Sequence, residues 1–153
     1  MPTRAKPKST LQGVQWPVEP FFKAAIPLPP SVNGSYKTNY SSQFYSSDPL
    51  KQFKNEAECK LVDQWNNQDW VIIGAIEASK QKIPLFMDMK IYFDTLWRRD
   101  CTGVIKAAED AVFNFLRIND NRVVRCNAEK YADRDNPRVE IMVSVCVERM
   151  NDV

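Results

Sequence analysis

Two segments of the chain alternate apolar and polar residues with a period of two, and this pattern constrains the fold more than any other. Between 85 and 95, apolar residues occupy the odd positions from Leu85 to Phe93, with charged residues between several of them. Between 139 and 147, every odd position is valine or isoleucine. Because successive side chains of a strand point to opposite faces of a sheet, both segments are predicted to be half-buried strands.

Helices are predicted where apolar residues recur at spacings of three and four. Asp48 and Pro49 form a typical helix start, a capping residue followed by proline at the first helical position. The buried face of that helix is expected to carry Leu50, Phe53, Ala57, Leu61 and Trp65.

A second helix is predicted over Cys101–Leu116, with its apolar stripe formed by Val104, Ala107, Ala108, Ala111, Val112 and Phe115. Residues 69–82 fit either a further helix or a short strand, and we favour the helix.

The remaining segments complete the expected fold. Residues 21–30 are apolar and end in prolines, which favours an edge strand, whereas the polar and aromatic residues 31–47 predict a long loop. After the turn at 119–121, Val124, Cys126 and Ala128 alternate with polar residues as in a strand. We therefore predict an α+β (mixed α/β) single domain, a small mixed sheet of about four strands with two main helices packed on it. Residues 1–20, with four prolines, are expected to form a flexible basic arm before the domain at 21–150.

The chain contains no histidine, which excludes several kinds of active site. Ser-His-Asp and Cys-His hydrolysis, His-ligated zinc and histidine-based nucleases all need this residue. Neither a G-x-x-x-x-G-K nor a G-x-G-x-x-G motif is present, so no nucleotide cofactor is expected. Acid, base and metal chemistry is left to Asp, Glu, Lys and Tyr.

The net charge and the cysteine spacing limit how the protein could bind DNA and in which compartment we expect it. The net charge is only +2, and the expected arm accounts for it, so a DNA footprint requires local basic patches or two copies of the chain. The four cysteines lie at least 20 residues apart, which is typical of buried cysteines in a reducing cytosol. The sequence lacks an apolar run of the roughly 18 residues that a membrane span needs, so we expect a cytoplasmic protein without a membrane partner.

Candidate chemistry concentrates between Trp97 and Val124. Asp100 precedes the second helix, Lys106 and Asp110 share its polar face with Glu109 beside them, and Asp120 lies in the turn beyond it. Converging carboxylates would suit Mg²⁺, which supports phosphodiester hydrolysis, and a nearby lysine would stabilise the charge at phosphorus. The same residues are also compatible with helix caps, a solvated ion pair and a turn acid, and spacing alone favours that plainer interpretation.

Three separated motifs resemble the RusA family of Holliday junction resolvases, small Mg²⁺-dependent endonucleases of phages, prophages and bacteria. IPLPPSVNGSY is similar to the family's PxPPSxNxxY opening, and RRDCTGVIKAAEDAV is similar to RRDxDNxxKAxxDAL. INDNRVV is similar to xxDDxQVV. The motifs occur in the family's order between about residues 24 and 148.

The resemblance implies a role for each matching residue. Asp100 and Asp120 match catalytic, metal-binding aspartates, Lys106 matches a catalytic lysine, and Asp110 matches a recurrent helix acid that we include among the metal ligands. This chain has Thr102 and Gly103 where the family has a second aspartate and an asparagine. Thr102 is retained as a candidate ligand through its hydroxyl, and Glu109 as a source of the missing charge. In the closing motif, Asn119 and Arg122 replace an aspartate and a glutamine.

The resemblance also implies the cofactor and partners: Mg²⁺, with Mn²⁺ as a substitute, a homodimer, and a four-way DNA junction cut symmetrically. The expected DNA contacts are Arg98, Arg99, Arg122, Arg125, Asn33 and Tyr36. In the arm, Arg4, Lys6 and Lys8 are further expected phosphate contacts. Tyr40, Phe44 and Tyr45 are candidates for stacking on unpaired bases. Two alternatives remain open. One is a branched-DNA-binding protein of the same fold with impaired catalysis, and the other is an α+β interaction module without a site.

Overall fold

The computed structural model describes residues 15–30, 36–38, 44–46, 48–79, 81–97 and 99–152, with backbone alone at 36–38 and 44–46. Arg98, Asn33, Tyr40 and residues 1–14 of the expected arm lie outside the described residues, as do the side chains of Tyr36, Phe44 and Tyr45. The C-terminal part of the arm is described, and there Trp16 packs against the core.

Six strands and three α-helices occur in the described residues. The strands are β1 (Phe22–Pro27), β2 (Tyr36–Thr38), β3 (Phe44–Ser46), β4 (Leu85–Phe93), β5 (Val123–Ala132) and β6 (Arg138–Val145). The helices are α1 (Asp48–Asp63), α2 (Trp70–Ala78) and α3 (Thr102–Leu116). Short 3₁₀ turns occupy Trp65–Asn67, Asp120–Arg122 and Val147–Asp152. The predicted helix in 69–82 is confirmed, and Asp69 begins it by accepting a hydrogen bond from the Ile72 N–H.

Four of the strands form one mixed sheet in the order β1-β6-β4-β5. β6 is antiparallel to both β1 and β4, whereas β4 and β5 are parallel neighbours. Parallel neighbours need a crossover connection, and α3 supplies it between β4 and β5. The predicted mixed α+β domain with a four-stranded sheet is therefore confirmed, with α2 as a third helix.

One face of this sheet carries the core. Along β4 the odd-numbered residues are fully buried and the even-numbered residues are half-buried, as the alternation predicts. Val143 of β6 lies opposite Met87 of β4, and both belong to the same core cluster as the buried residues of the three helices. The opposite face carries the polar and aromatic residues that alternate with these.

Two glutamine side chains cover the outer edge of β1 and form hydrogen bonds with its backbone, as a neighbouring strand would. Gln64 accepts a hydrogen bond from the Ala25 N–H at 2.8 Å and donates one to the Ala25 carbonyl at 2.8 Å. Gln68 pairs in the same way with Lys23, at 2.9 and 2.7 Å. These bonds satisfy backbone groups that an edge strand would otherwise leave unpaired.

The loop predicted for 31–47 is wrong at 36–38 and 44–46, where β2 and β3 pair as a short antiparallel ladder, and the rest of that range lies outside the described residues. The burial of Trp65 was also wrong. Helix α1 ends at Asp63, so the helical spacing no longer applies to Trp65, which is 44% exposed.

Two further burial predictions need correction. Only Cys146 is buried, whereas Cys59 and Cys126 are exposed and Cys101 is half-buried. Cys59 lies on the outer side of α1, and Cys126 lies on β5. Val124 of β5 is 43% exposed because it lies at a register shift in the pairing with β4, where Leu85 pairs with Val123 and Phe86 with Arg125. Ala128 is only partly buried against the core.

Within the described ranges, no helix is both long and apolar enough to cross a lipid bilayer.

Candidate active site

Helix α3 and the turn that follows it position the candidate residues. The helix begins after Cys101, whose carbonyl accepts the Val104 N–H at 2.9 Å. Its buried side is Val104, Ala107, Ala108, Val112, Phe113 and Leu116, which leaves Lys106 on the exposed side. Asp120 begins a 3₁₀ turn, and Asn119 stabilises that turn by accepting the Asn121 N–H at 3.0 Å.

Lys106, Asp110 and Asp120 meet at one point. The Lys106 Nζ lies 2.9 Å from Asp110 Oδ1 and 3.4 Å from Asp120 Oδ2. The Lys106 side chain is 63% exposed, whereas those of Asp110 and Asp120 are 23% and 34% exposed. One ammonium therefore joins a helix carboxylate to a turn carboxylate 10 residues further along the chain.

The charges of this cluster perturb its ionisation. The hydrogen bond to Asp110 is the main reason that the pKa of Lys106 is raised to about 12, and Asp120 adds to the effect. Lys106 is therefore a permanent cation at neutral pH. Burial is the largest cause that raises the pKa of Glu109 to about 7, followed by its close approach to Asp120. Glu109 is thus the fourth member of the site, which we call the α3 carboxylate cluster: Lys106, Glu109, Asp110 and Asp120.

Asp100 and Thr102 form no hydrogen bond or ion pair with this cluster. Both are exposed at the start of α3, and neither side chain makes a hydrogen bond or ion pair with another described residue. Among the residues that the structure describes, no three acidic or thiol side chains converge closely enough to hold a metal ion. The cluster nevertheless offers carboxylate oxygens, the ligand type that Mg²⁺ and Mn²⁺ prefer, so its chemistry fits a hard divalent cation.

The expected DNA-binding arginines have different surroundings. Arg122 donates to the Ile76 carbonyl at 3.1 Å and the Ser79 carbonyl at 3.4 Å, which ties the Asp120 turn to the end of α2. Arg125 pairs with Glu148 at 2.7 Å. Both guanidinium groups therefore already have partners within the protein.

Arg99 is half-buried and lies 5.6 Å from the centre of the Phe93 ring. Its Nη2 is buried and has no hydrogen-bond partner among the described residues. Burial lowers the pKa of this guanidinium from its usual value. A buried donor without a partner is costly in a folded protein, and a group that accepted a hydrogen bond from this atom would remove that cost.

Sequence reasoning missed Trp97, which lies three residues before Asp100 and is 88% exposed. An aromatic side chain this exposed is available to stack on a nucleobase. Its position between a predicted strand and a candidate catalytic aspartate could have identified it as a functional residue from the sequence. The contact between Glu109 and Asp120 gave no comparable signal, since it depends on the path of the chain after α3.

The comparison with protein families shows the class of this protein, an endodeoxyribonuclease, which is an enzyme that cuts within DNA strands. Residues 27–144 match the family model described as Endodeoxyribonuclease RusA. This range contains the first motif from Pro27 onward, the other two motifs and the α3 carboxylate cluster. Since this match covers most of the chain, the protein belongs to the RusA family of Holliday junction resolvase nucleases. A comparison with curated proteins gave no match.

Proposed function

We propose that this protein is a divalent-metal-dependent endonuclease that resolves four-way DNA junctions by paired cuts. The observation that carries the proposal is the contact of Lys106 with Asp110 and Asp120 inside the segment that matches the family. Mg²⁺ is the proposed cation and Mn²⁺ its substitute. The proposed catalytic residues are Asp100, Asp120 and Lys106.

The cation would be held by Asp120 and Asp110. Asp100 and Thr102 are proposed as further ligands on the family resemblance, although neither forms a hydrogen bond or ion pair with the α3 carboxylate cluster. Glu109 would add negative charge beside Asp120, against which it lies. When bound, such a cation supplies a polarised water and positive charge at the phosphorus.

Lys106 has two roles in this proposal. In the free protein its ammonium neutralises Asp110 and Asp120 at short range, which keeps the two carboxylates together. Because its pKa is about 12, it stays charged at neutral pH and is a poor general base. We therefore assign it the stabilisation of negative charge on the phosphate during hydrolysis.

The proposed assembly is a homodimer that acts in the cytoplasm of a bacterial host. A junction with two-fold symmetry needs two sites, and a two-fold protein dimer would supply them. Two copies would also double each basic patch, which compensates for a net charge of only +2 per chain. The dimer is tested by measuring the mass of the protein in solution by light scattering.

A second function is favoured by the position of Thr102. It replaces an acid of the family motif, and Asp100 beside it contacts none of the described members of the α3 carboxylate cluster. A protein with this site could bind branched DNA and cut it poorly. In that case Thr102→Asp should raise the cleavage rate, since each anionic ligand strengthens binding of a divalent cation.

Cleavage assays separate the two functions. The protein is incubated with a labelled four-way junction and with a linear duplex of the same sequence, each with Mg²⁺ and with chelator. Nicks in the junction that require Mg²⁺ support the nuclease, whereas gel shifts of the junction without nicks support the impaired binder. If the junction is neither cut nor bound in preference to the duplex, both functions are refuted.

A further inference from the structure

Arg117, the first residue after α3, has an unusual backbone conformation. Its φ is 56° and its ψ is 35°, and it is the one non-glycine residue with positive φ among the described residues. The Ile118 N–H donates to the Phe113 carbonyl at 3.2 Å, and both of these side chains are buried. This is the Schellman closure of a helix, in which glycine is usual at the left-handed position because a Cβ is unfavourable there. Stability alone would favour glycine at 117.

The surroundings of Arg117 connect it to the α3 carboxylate cluster. Arg117 is exposed and lines a surface cavity of about 350 Å³ together with Asp110 and Asp120. Of the described residues that line this cavity, Arg117 is the one cation. Its guanidinium forms no ion pair or hydrogen bond with any other described residue, whereas Arg122 bonds to two backbone carbonyls and Arg125 to Glu148.

A second cavity continues from the first, and the two share Asn114 and Arg117. Trp65 lines this second cavity and stacks on Trp70. Glu58 and Glu77 also line it and would repel a phosphate. Asp110 and Asp120 line the first cavity, but Lys106 pairs with both and offsets their charge, so the end where Arg117 lies is the more favourable one for an anion.

We propose that Arg117 binds a backbone phosphate of the DNA strand that lies at Asp110 and Asp120. A guanidinium can hold a phosphate through two parallel hydrogen bonds, which fixes position as well as supplying charge. Unfavourable backbone conformations persist at functional sites, and this role explains why arginine occupies a position that suits glycine. The inference rests on the proposed function, because it requires DNA at the α3 carboxylate cluster.

Three substitutions separate the charge of Arg117 from its conformation. Arg117→Gly removes both the charge and the backbone strain, Arg117→Gln removes only the charge, and Arg117→Lys retains both. Lys23→Gln is the matched control, since it removes an exposed charge from β1 on the sheet face opposite the core. The dissociation constant for a four-way junction is measured in chelator across a series of salt concentrations, and the Tm of each variant is measured alongside.

Junction affinity should follow charge, and Tm should follow conformation. Arg117→Gly and Arg117→Gln should weaken binding about tenfold, the value of one charged hydrogen-bonded contact, and lower the salt dependence by about one unit. Arg117→Lys should bind with an affinity between those of the wild type and Arg117→Gln, because it keeps the charge but not the paired hydrogen bonds of the guanidinium. Arg117→Gly should melt at the wild-type temperature or above.

Several results would overturn the proposal. Wild-type affinity and salt dependence in Arg117→Gly would show that Arg117 does not contact DNA. A loss of affinity in Arg117→Gly and Arg117→Gln with an unchanged salt dependence would show that the loss does not come from a phosphate contact. An equal loss in Lys23→Gln would show a general effect of charge. If the wild type itself fails to bind the junction, the proposed function fails as well, which distinguishes that failure from an error about Arg117 alone.

Discussion

Replacing Glu109 with glutamine should stabilise the metal-free protein at pH 8 and leave it nearly unchanged at pH 4.5. Burial, and then the nearby Asp120, raise the pKa of Glu109 to about 7 in the folded protein from the ordinary value of 4.5. Below pH 4.5 this carboxyl is protonated in both folded and unfolded chains and carries no penalty. The penalty grows as pH rises from 4.5 to 7, because the unfolded chain loses the proton first, and it is complete above pH 7.

The size of this effect follows from the difference between the two pKa values. A rise from 4.5 to about 7, at roughly 1.4 kcal/mol per pKa unit, sets an upper limit of about 3.5 kcal/mol. Glu109 is only partly buried, so solvent screening reduces the expected penalty to about 1–2 kcal/mol. For a chain of this length, that corresponds to a Tm difference of about 4 °C.

The Tm of wild type and Glu109→Gln is measured between pH 4.5 and 8 in the presence of chelator. Glu58→Gln, an exposed substitution on α1, serves as the control. A gap between wild type and Glu109→Gln that stays constant with pH would refute the reasoning. Mg²⁺ at pH 8 should then raise the Tm of the wild type more than that of Glu109→Gln, since a ligand stabilises the state that binds it.

Three further substitutions test other parts of the account. Lys106→Ala should lower the rate of junction cleavage without lowering helix stability, because alanine is the better helix former, and an unchanged rate would remove Lys106 from the site. Gln64→Ala should reduce the free energy of unfolding by about 1–3 kcal/mol in urea denaturation, since Ala25 loses both hydrogen bonds, whereas Gln52→Ala on the exposed side of α1 should not. Trp97→Ala should weaken junction binding about tenfold by loss of stacking with no fall in Tm, and wild-type affinity would contradict that role.

The fold was predictable where periodicity is set by burial on one face. The structure confirms the alternation in β4 and in β6 as far as Val145, whereas Val147 lies in the 3₁₀ turn beyond the strand and is 39% exposed. On α3 it confirms Val104, Ala107, Ala108 and Val112 as buried. Ala111 and Phe115 of the predicted stripe are only partly buried, and Phe113 and Leu116 are buried instead. The same reasoning failed for Val124 of β5, because alternation does not reveal the register shift at which this residue lies. It failed for Trp65 because spacing does not reveal that α1 ends at Asp63.

Part of the candidate site was also predictable. Lys106 and Asp110 are four residues apart on one helix, so their contact follows from helical geometry. The approach of Asp120 depends on the left-handed turn at Arg117 and on the hydrogen bonds of Arg122 to α2, which no local pattern encodes. The exposure of Trp97 likewise depends on packing beyond its own segment.

The central claim is tested most directly by cleavage of a four-way junction with Asp120→Asn. Wild type and variant are compared in Mg²⁺ at protein concentrations that give equal junction binding, so a difference in rate reports on chemistry alone. We predict that the wild type makes paired nicks and that Asp120→Asn binds the junction at least as tightly without cutting it. Cleavage by Asp120→Asn at the wild-type rate would show that the active site lies elsewhere in the chain.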